Sequence, residues 1–246
     1  MAKDRKFKEL YEIAKKDKNI IGFFLGGSRG KCRETIHSDY DTYLVVKDSV
    51  FKEYDKKYST SSKDLDVAVF PYTGFKKHAE IGSEFEWDRY NYAHLKVLID
   101  RKDIQKLVNE KGIIPKNRIK KYVSGYLDCY INAVYRSFKC DRDGNPVGLH
   151  LQAAESIPAF LNVAFAIHNG RLKPYYKYLE WEFETYPLKK FSLTPKELLR
   201  MILQILKDGD LKTQRELFNI TEKVLKKEGY GKVYDSWGCA LDLIRN

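Results

Sequence analysis

The residues best suited to chemistry are two closely spaced aspartates, Asp39 and Asp41, at the start of a β-like run, Tyr43–Val46. Side chains alternate between the two faces of a strand, so these two carboxylates are predicted to point the same way. Carboxylates held side by side repel each other unless a cation lies between them. The spacing therefore predicts a cation site.

A glycine–serine turn precedes this pair. The apolar run Ile20–Leu25 leads directly into Gly26, Gly27 and Ser28. Backbone N–H groups and a hydroxyl at such a turn can bind phosphate. The same residues also suit an ordinary turn, which remains an alternative.

A third carboxylate lies on the next β-like segment, residues 63–70. Asp66 stands between Leu65 and Val67, so it faces away from the side that they pack. If this strand lies beside the Asp39–Asp41 strand, three carboxylates converge, as two-metal phosphoryl or nucleotidyl transfer requires. Oxygen ligands and substrate phosphates suit Mg²⁺. Alternatively, Asp39 is a turn residue and Asp66 an edge-strand charge.

The order of these parts resembles the nucleotidyltransferase superfamily that includes polymerase β, the CCA-adding enzymes and the antibiotic adenylyltransferases. Its pattern is an apolar strand, a Gly-Ser pair, an Asp-x-Asp and a further Asp on a later strand. The matching positions are Gly27, Ser28, Asp39, Asp41 and Asp66. The resemblance covers residues 20–70 by motif. One departure is Tyr40-Asp41-Thr42, where the family often has aliphatic residues.

The resemblance implies attack of an acceptor oxygen on the α-phosphorus of a nucleoside triphosphate, with release of pyrophosphate. ATP or another nucleoside triphosphate would be the co-substrate, and two Mg²⁺ ions the cofactors. Asp39 and Asp41 would hold the metal on the triphosphate, and Asp66 would complete the second metal. The Gly27 backbone and Ser28 would bind the terminal phosphates. Arg29 and Lys31 on the same turn are expected to make further contacts with the phosphates. For each of them, a solvated surface charge is the alternative.

In antibiotic-modifying relatives a glutamate from the helical domain can serve as general base, and Glu155 is the candidate here. It lies in an otherwise apolar stretch, where an unpaired carboxylate would be costly. A buried carboxylate with a raised pKa suits a general base. The alternative is a structural ion pair with Arg136 or Lys173, and Asp128 is the reserve candidate.

The composition excludes several classes of protein. The 246 residues include 43% hydrophobic and 14% aromatic residues, enough for substantial cores. The charged N-terminus contains no signal-peptide-like segment, and no apolar run reaches membrane-spanning length. The four cysteines are scattered, which argues against zinc or a disulfide framework and favours the cytoplasm. The net charge of +11 is dispersed and is interpreted mainly as solvated lysines.

The periodicity predicts an α+β protein with two domains. Residues 1–114 should form a small mixed-sheet nucleotidyltransferase domain, and residues 115–246 a C-terminal helical bundle that binds substrate. The Ile113-Ile114-Pro115 segment marks the junction, because strand patterns end there. The predicted strands are 20–25, 43–46, 63–70 and 93–99. The predicted helices are 6–16, 48–57, 104–110, 118–139, 149–168, 174–184, 194–207, 211–227 and 235–245, with a further short one after Ser28.

These observations favour a small-molecule nucleotidyltransferase that moves a nucleoside monophosphate, with AMP from ATP as the expected group, to a hydroxyl. An antibiotic-resistance enzyme is one such case, since the acidic-aromatic stretches 84–88 and 180–184 could attract a cationic aminoglycoside. An RNA or tRNA nucleotidyltransferase is the first alternative, although no RNA-binding module is recognisable. A non-catalytic binding protein with the same fold is the second. No membrane partner is expected, and the oligomeric state is open.

Overall fold

The computed structural model describes residues 2–246, which form two compact units. The first runs up to Ile113 and the second is Ile114–Asn246. The first contains a five-stranded mixed sheet flanked by helices, and the second is helical throughout its regular structure. The predicted α+β class, with a small mixed sheet followed by a helical region, is confirmed. Within the described residues, no helix combines the length and apolarity that crossing a membrane requires.

The elements of the first unit are the helices α1 (Ala2–Lys16), α2 (Gly27–Gly30), α3 (Phe51–Tyr58), α4 (Tyr72–Lys77) and α5 (Ile104–Lys111), and the strands β1 (Ile20–Leu25), β2 (Tyr40–Val46), β3 (Thr60–Ser61), β4 (Leu65–Pro71) and β5 (Val97–Asp100). The second unit contains α6 (Lys116–Arg142), α7 (Pro146–Ala166), α8 (Leu179–Thr185), α9 (Pro195–Asp208), α10 (Leu211–Lys227), α11 (Gly231–Asp235) and α12 (Asp242–Arg245). Short 3-10 segments are Asp48–Val50, Glu86–Tyr92, Tyr176–Tyr178 and Gly238–Leu241.

The strand order is β3-β4-β2-β1-β5, with β2 and β4 parallel and the other pairs antiparallel. Alternation along the strands divides the apolar residues between two cores. Phe23 and Leu44 pack with α1 and α3 on one face, whereas Phe24 and Val45 pack with α4 and α5 on the other. Because both faces are covered, the central strands are apolar almost throughout.

The structure departs from the predicted elements where backbone conformation interrupts a pattern. The predicted strand 93–99 begins only at Val97, because His94 has a positive φ of 63° and cannot continue an extended segment. The predicted final helix is split, with Gly238 at a φ of 51°. The predicted helix 149–168 instead starts at Pro146, where the side chain of Asn145 accepts a hydrogen bond from Gly148 N.

Three buried cations hold the irregular segment 76–93 in place. Lys31 donates to the carbonyls of residues 91 and 93, at 3.1 and 2.7 Å. Arg89 donates to the carbonyls of residues 79, 110 and 113. Lys111 donates to those of residues 76 and 78. Buried carbonyls outside regular structure need donors, and these side chains supply them.

The buried ammonium of Lys111 generates a prediction about pH. Burial, with Arg89 nearby, lowers its pKa to about 8 from the usual 10.5. Between these values the unfolded chain binds the proton and the folded chain does not, so the free energy of unfolding should rise with pH. The slope contributed by one group is at most about 1.4 kcal/mol per pH unit. The rise should end near pH 10, because burial raises the pKa of Tyr130 and Tyr234 and their ionisation then favours unfolding.

Urea denaturation of the wild type and Lys111→Met across this range measures the effect. The slope should be smaller in Lys111→Met and unchanged in Lys106→Met, an exposed lysine on the same helix. Equal slopes in all three proteins would contradict this assignment.

One buried side chain of the sheet has a hydroxyl without a hydrogen-bond partner in the described chain. Thr42 on β2 is 1% exposed, and its Oγ1 has no hydrogen-bond partner among the described residues. Thr221 in the second unit is also buried, but its Oγ1 donates to the carbonyl of Leu217 at 2.6 Å. The two threonines therefore differ in whether the hydroxyl is satisfied.

We expect Thr42→Val to raise the free energy of unfolding by about 1 kcal/mol, because valine has nearly the same shape and removes an unsatisfied buried hydroxyl. Thr221→Val is the matched control and should be neutral or destabilising. Chemical denaturation measures both variants, and destabilisation by Thr42→Val would show that its hydroxyl is satisfied in solution.

Candidate active site

Asp41 and Asp66 lie side by side on the central strands of the sheet. In the parallel register of β2 and β4 they are direct partners, and both are half-buried. Alternation places them on the same face as Tyr43 and Ala68. Neighbouring strands are about 4.8 Å apart, so the two carboxylates start from adjacent backbones and project to the same side. This pair is the acidic centre of the first unit.

The glycine turn lies directly against this pair. The N–H of Gly26 donates to the carbonyl of Asp41 at 2.8 Å, which joins the end of β1 to β2. Gly27 has a φ of +52°, and a Cβ on it would come within 1.7 Å of Asp41 Oδ2. A Cβ on Gly26 would meet the ring of Tyr43 at 2.5 Å. Only glycines allow the turn this close, so Ser28 and the turn backbone lie beside the Asp41 carboxylate.

We therefore expect Gly27→Ala to destabilise the first unit by more than the strain of a left-handed residue alone, which is about 1–2 kcal/mol. The extra cost comes from displacing the Asp41 carboxylate. The matched control is Gly82→Ala in the same unit, where φ is +89° and nothing lies within 4 Å of the added Cβ. Chemical denaturation compares the two, and a cost for Gly27→Ala no larger than that of the control would contradict the close approach.

Arg29 positions the segment that leads into β2. Its Nε donates to the carbonyl of Asp39 at 2.9 Å, and its Nη2 donates to that of Ser38 at 3.2 Å. The guanidinium also lies 4.0 Å from the ring centroid of Tyr40. These contacts fix the backbone at the start of β2 and leave the side chain half-buried.

The predicted convergence of three carboxylates is only partly realised. Asp39 precedes β2, which begins at Tyr40, so strand alternation does not extend to it. Among residues 2–246, no group of three or more His, Cys, Asp or Glu side chains is arranged to hold a metal ion. The structure thus brings Asp41 and Asp66 together, with Asp39 at the adjoining segment.

Lys31 occupies a different environment from the one expected for a phosphate ligand. It is 4% exposed, and its ammonium makes the two carbonyl contacts described above and lies 5.0 Å from the ring centroid of Tyr90. This side chain therefore stabilises the segment that follows α4. Ser28 follows Gly27 at the acidic pair, whereas the Arg29 guanidinium is held at the Ser38 and Asp39 carbonyls and over the Tyr40 ring.

Glu155 is exposed, so the prediction that it is buried was wrong. The buried arc of α7 includes Ile157, Phe160 and Leu161, and Glu155 lies outside it. The burial on which its role as general base depended is therefore absent. The reserve candidate, Asp128, accepts a hydrogen bond from Trp237 Nε1 at 2.9 Å.

Aromatic residues beside the acidic pair were missed in the sequence. Tyr43, next to Asp41 on the same face, stacks on Phe24 with ring centroids 4.9 Å apart, and it also contacts Phe70 and Tyr92. Alternation along β2 and β4 was the available signal, because it puts Tyr43 and Phe70 on the face of the aspartates. The half-buried ring of Tyr43 gives this face a flat apolar surface.

Two carboxylates in the acidic-aromatic stretches expected to attract an aminoglycoside, Asp88 and Glu182, are buried and paired internally. Asp88 bonds His78 Nε2 at 2.9 Å. Glu182 is buried and bonds Arg171 at 2.8 Å. These carboxylates therefore serve local structure.

No family model matches the chain, and no curated protein matches it. One solved structure similar to it is a nucleotidyltransferase-like protein from Exiguobacterium sibiricum 255-15, with a TM-score of 0.44 and 9% sequence identity. The similarity covers 99% of this chain and 78% of that one. A likeness at this level carries no argument about function, so the chemistry must be inferred from the residues themselves.

Proposed function

We propose that this protein is a Mg²⁺-dependent nucleotidyltransferase that moves a nucleoside monophosphate, with AMP from ATP as the expected group, to a hydroxyl of a small molecule. The observation that carries the proposal is the in-register pair Asp41 and Asp66 with Gly27 against the Asp41 carboxylate. Adjacent carboxylates repel each other, and a divalent cation relieves that repulsion. Carboxylate oxygens are the ligands that Mg²⁺ takes from proteins.

The residues suit this cofactor because two carboxylates share one face and the glycine turn brings backbone close to one of them. Asp41 and Asp66 would hold Mg²⁺, with Asp39 as the further ligand that the resemblance implies. When bound, the metal would neutralise charge on the reacting phosphates and orient them. The chain itself would bind and position the triphosphate.

The glycine turn would bind the terminal phosphates. Ser28 offers a hydroxyl. The backbone of Gly27 can approach a phosphate closely because glycine has no side chain and that of Ser28 is small. Arg29 follows on the same turn, and its guanidinium, which bonds the Asp39 carbonyl and lies over the Tyr40 ring, would add positive charge. The acidic pair would otherwise repel a triphosphate, so binding of ATP should require Mg²⁺. Glu155 lacks the burial that supported its role as the general base for the attacking hydroxyl.

The direct test is to incubate the protein with Mg²⁺ and labelled ATP or GTP in the presence of aminoglycosides, lincosamides or tRNA, and to look for transferred label. Label on a small molecule supports the proposal. Label only on tRNA would favour the RNA alternative. One observation favours that alternative, a pocket of about 630 Å³ in the second unit. Its lining includes Lys189, Lys190, Lys223 and Lys227, with Glu228 paired to Lys190.

We expect Asp41→Asn and Asp66→Asn to abolish transfer while leaving the fold intact, because each removes one negative charge from the proposed metal site. Loss of a metal ligand should also remove the Mg²⁺-dependent increase in melting temperature that ATP produces, since binding to the native state stabilises it. Asp39→Asn tests the third predicted ligand.

The matched control is Asp64→Asn. Asp64 precedes β4 by one residue, and its carboxylate lies 4.0 Å from the ammonium of Lys6 on α1. It should keep wild-type turnover. Wild-type turnover in Asp41→Asn, or an equal ATP shift with a chelator present, would exclude the proposed metal site.

A further inference from the structure

The second unit contains an apolar groove that the proposed chemistry does not use. It has a volume of about 480 Å³, within the range of small-molecule sites. Leucine and isoleucine side chains of α7, α8 and α9 make up most of its lining. Leu203 and Leu206 of α9 are 56% and 40% exposed, which is unusual for two leucines at one opening.

A proline leaves a hydrogen-bond acceptor in the wall of this groove. Pro158 lies inside α7, and it lines the groove together with Ala154. In a helix the carbonyl of residue 154 would accept from the N–H of residue 158, but proline has none. The carbonyl of Ala154 therefore lacks its usual donor. A backbone acceptor in apolar surroundings favours a ligand that can donate a hydrogen bond.

Glu180 is the charged residue of the lining. It is exposed, and its carboxylate makes no hydrogen bond or ion pair within the described chain. The other polar side chain is that of Tyr176. Lys173 lies over the Tyr176 ring, with its ammonium 4.6 Å from the centroid, so positive charge is already present there. A ligand cation would thus be placed towards Glu180 and Ala154.

We propose that this groove binds a small amphipathic amine, with an apolar body between α7 and α9 and one protonated nitrogen directed at Glu180 and the Ala154 carbonyl. The apolar lining supplies most of the contact area, and the two acceptors select a donor that carries positive charge. This inference does not depend on the proposed nucleotidyl transfer.

Three probes with the same apolar body and different head groups test it: 4-phenylbutylamine, 4-phenylbutan-1-ol and 4-phenylbutyrate. Calorimetric titration of the full chain at neutral pH gives the three dissociation constants. The amine should bind about two- to fivefold more tightly than the acid, the advantage of a favourable exposed ion pair, with the alcohol between them. Equal binding of amine and acid, or no binding of the amine, would overturn the proposal.

Two variants test the Glu180 carboxylate and the Ala154 carbonyl separately. Glu180→Gln should reduce the preference for amine over acid, whereas Glu184→Gln, an exposed glutamate on the same helix outside the lining, should keep it. Pro158→Ala supplies the missing N–H to Ala154, so it should weaken amine binding. It should also raise the melting temperature, which excludes misfolding as the cause.

A preference unchanged in both Glu180→Gln and Pro158→Ala would show that the amine binds elsewhere. The alternative occupant is a second copy of the chain. Sedimentation velocity over a range of concentrations detects it, and a dimer abolished by Leu203→Gln would mean that the groove is an interface and would overturn the small-molecule assignment.

Discussion

The close approach of the Gly27 backbone to the Asp41 carboxylate is the constraint on which the acidic site depends. It requires a residue without a Cβ at a positive φ, and the neighbouring Gly26 must also be small because the Tyr43 ring lies against it. The N–H of Gly26 then reaches the carbonyl of Asp41 and locks the end of β1 to β2. Once these contacts exist, the direction of the Asp41 side chain follows, and the parallel register with β4 brings Asp66 beside it. The glycines thus act through packing, and their effect is to fix the position of a charge.

A second set of contacts connects this turn to the rest of the first unit. Lys31 follows α2 directly, and its ammonium bonds the carbonyls that end the 3-10 segment before His94. Lys31, at the end of the glycine turn, therefore stabilises the segment that packs on the same face of the sheet as Asp41. Arg89 and Lys111 bond carbonyls elsewhere in that segment. Irregular backbone can be buried here because cations supply the donors that a strand or helix would have supplied.

The sequence predicted those features that depend on local pattern and missed those that depend on packing. Short apolar and β-branched runs located β1, β2 and β4, and turn chemistry located Gly27, because both signals lie within a few residues. Asp39 was expected on the same strand as Asp41, and it lies one residue before that strand begins. Glu155 was misjudged for a different reason: apolar residues occur on most sides of α7, so the pattern did not tell which arc would be buried. The role of Lys31 was also out of reach, since its partners lie about 60 residues away.

The distribution of paired and unpaired carboxylates decides what kind of ligand the second unit suits. A polycation such as an aminoglycoside needs several available carboxylates, but Glu182 is committed to Arg171 and Glu222 to Arg245 and Lys226. Removing either from its partner would leave a partly buried charge uncompensated, which is costly. Glu180 has no such commitment, and it lies in the lining of an apolar groove. One available carboxylate beside an extended apolar surface matches a ligand with one amine and a hydrophobic body. Of the three glutamates in residues 180–184, Glu182 is committed to Arg171 and Glu184 lies outside the lining, so Glu180 is the one carboxylate that the groove offers to a ligand.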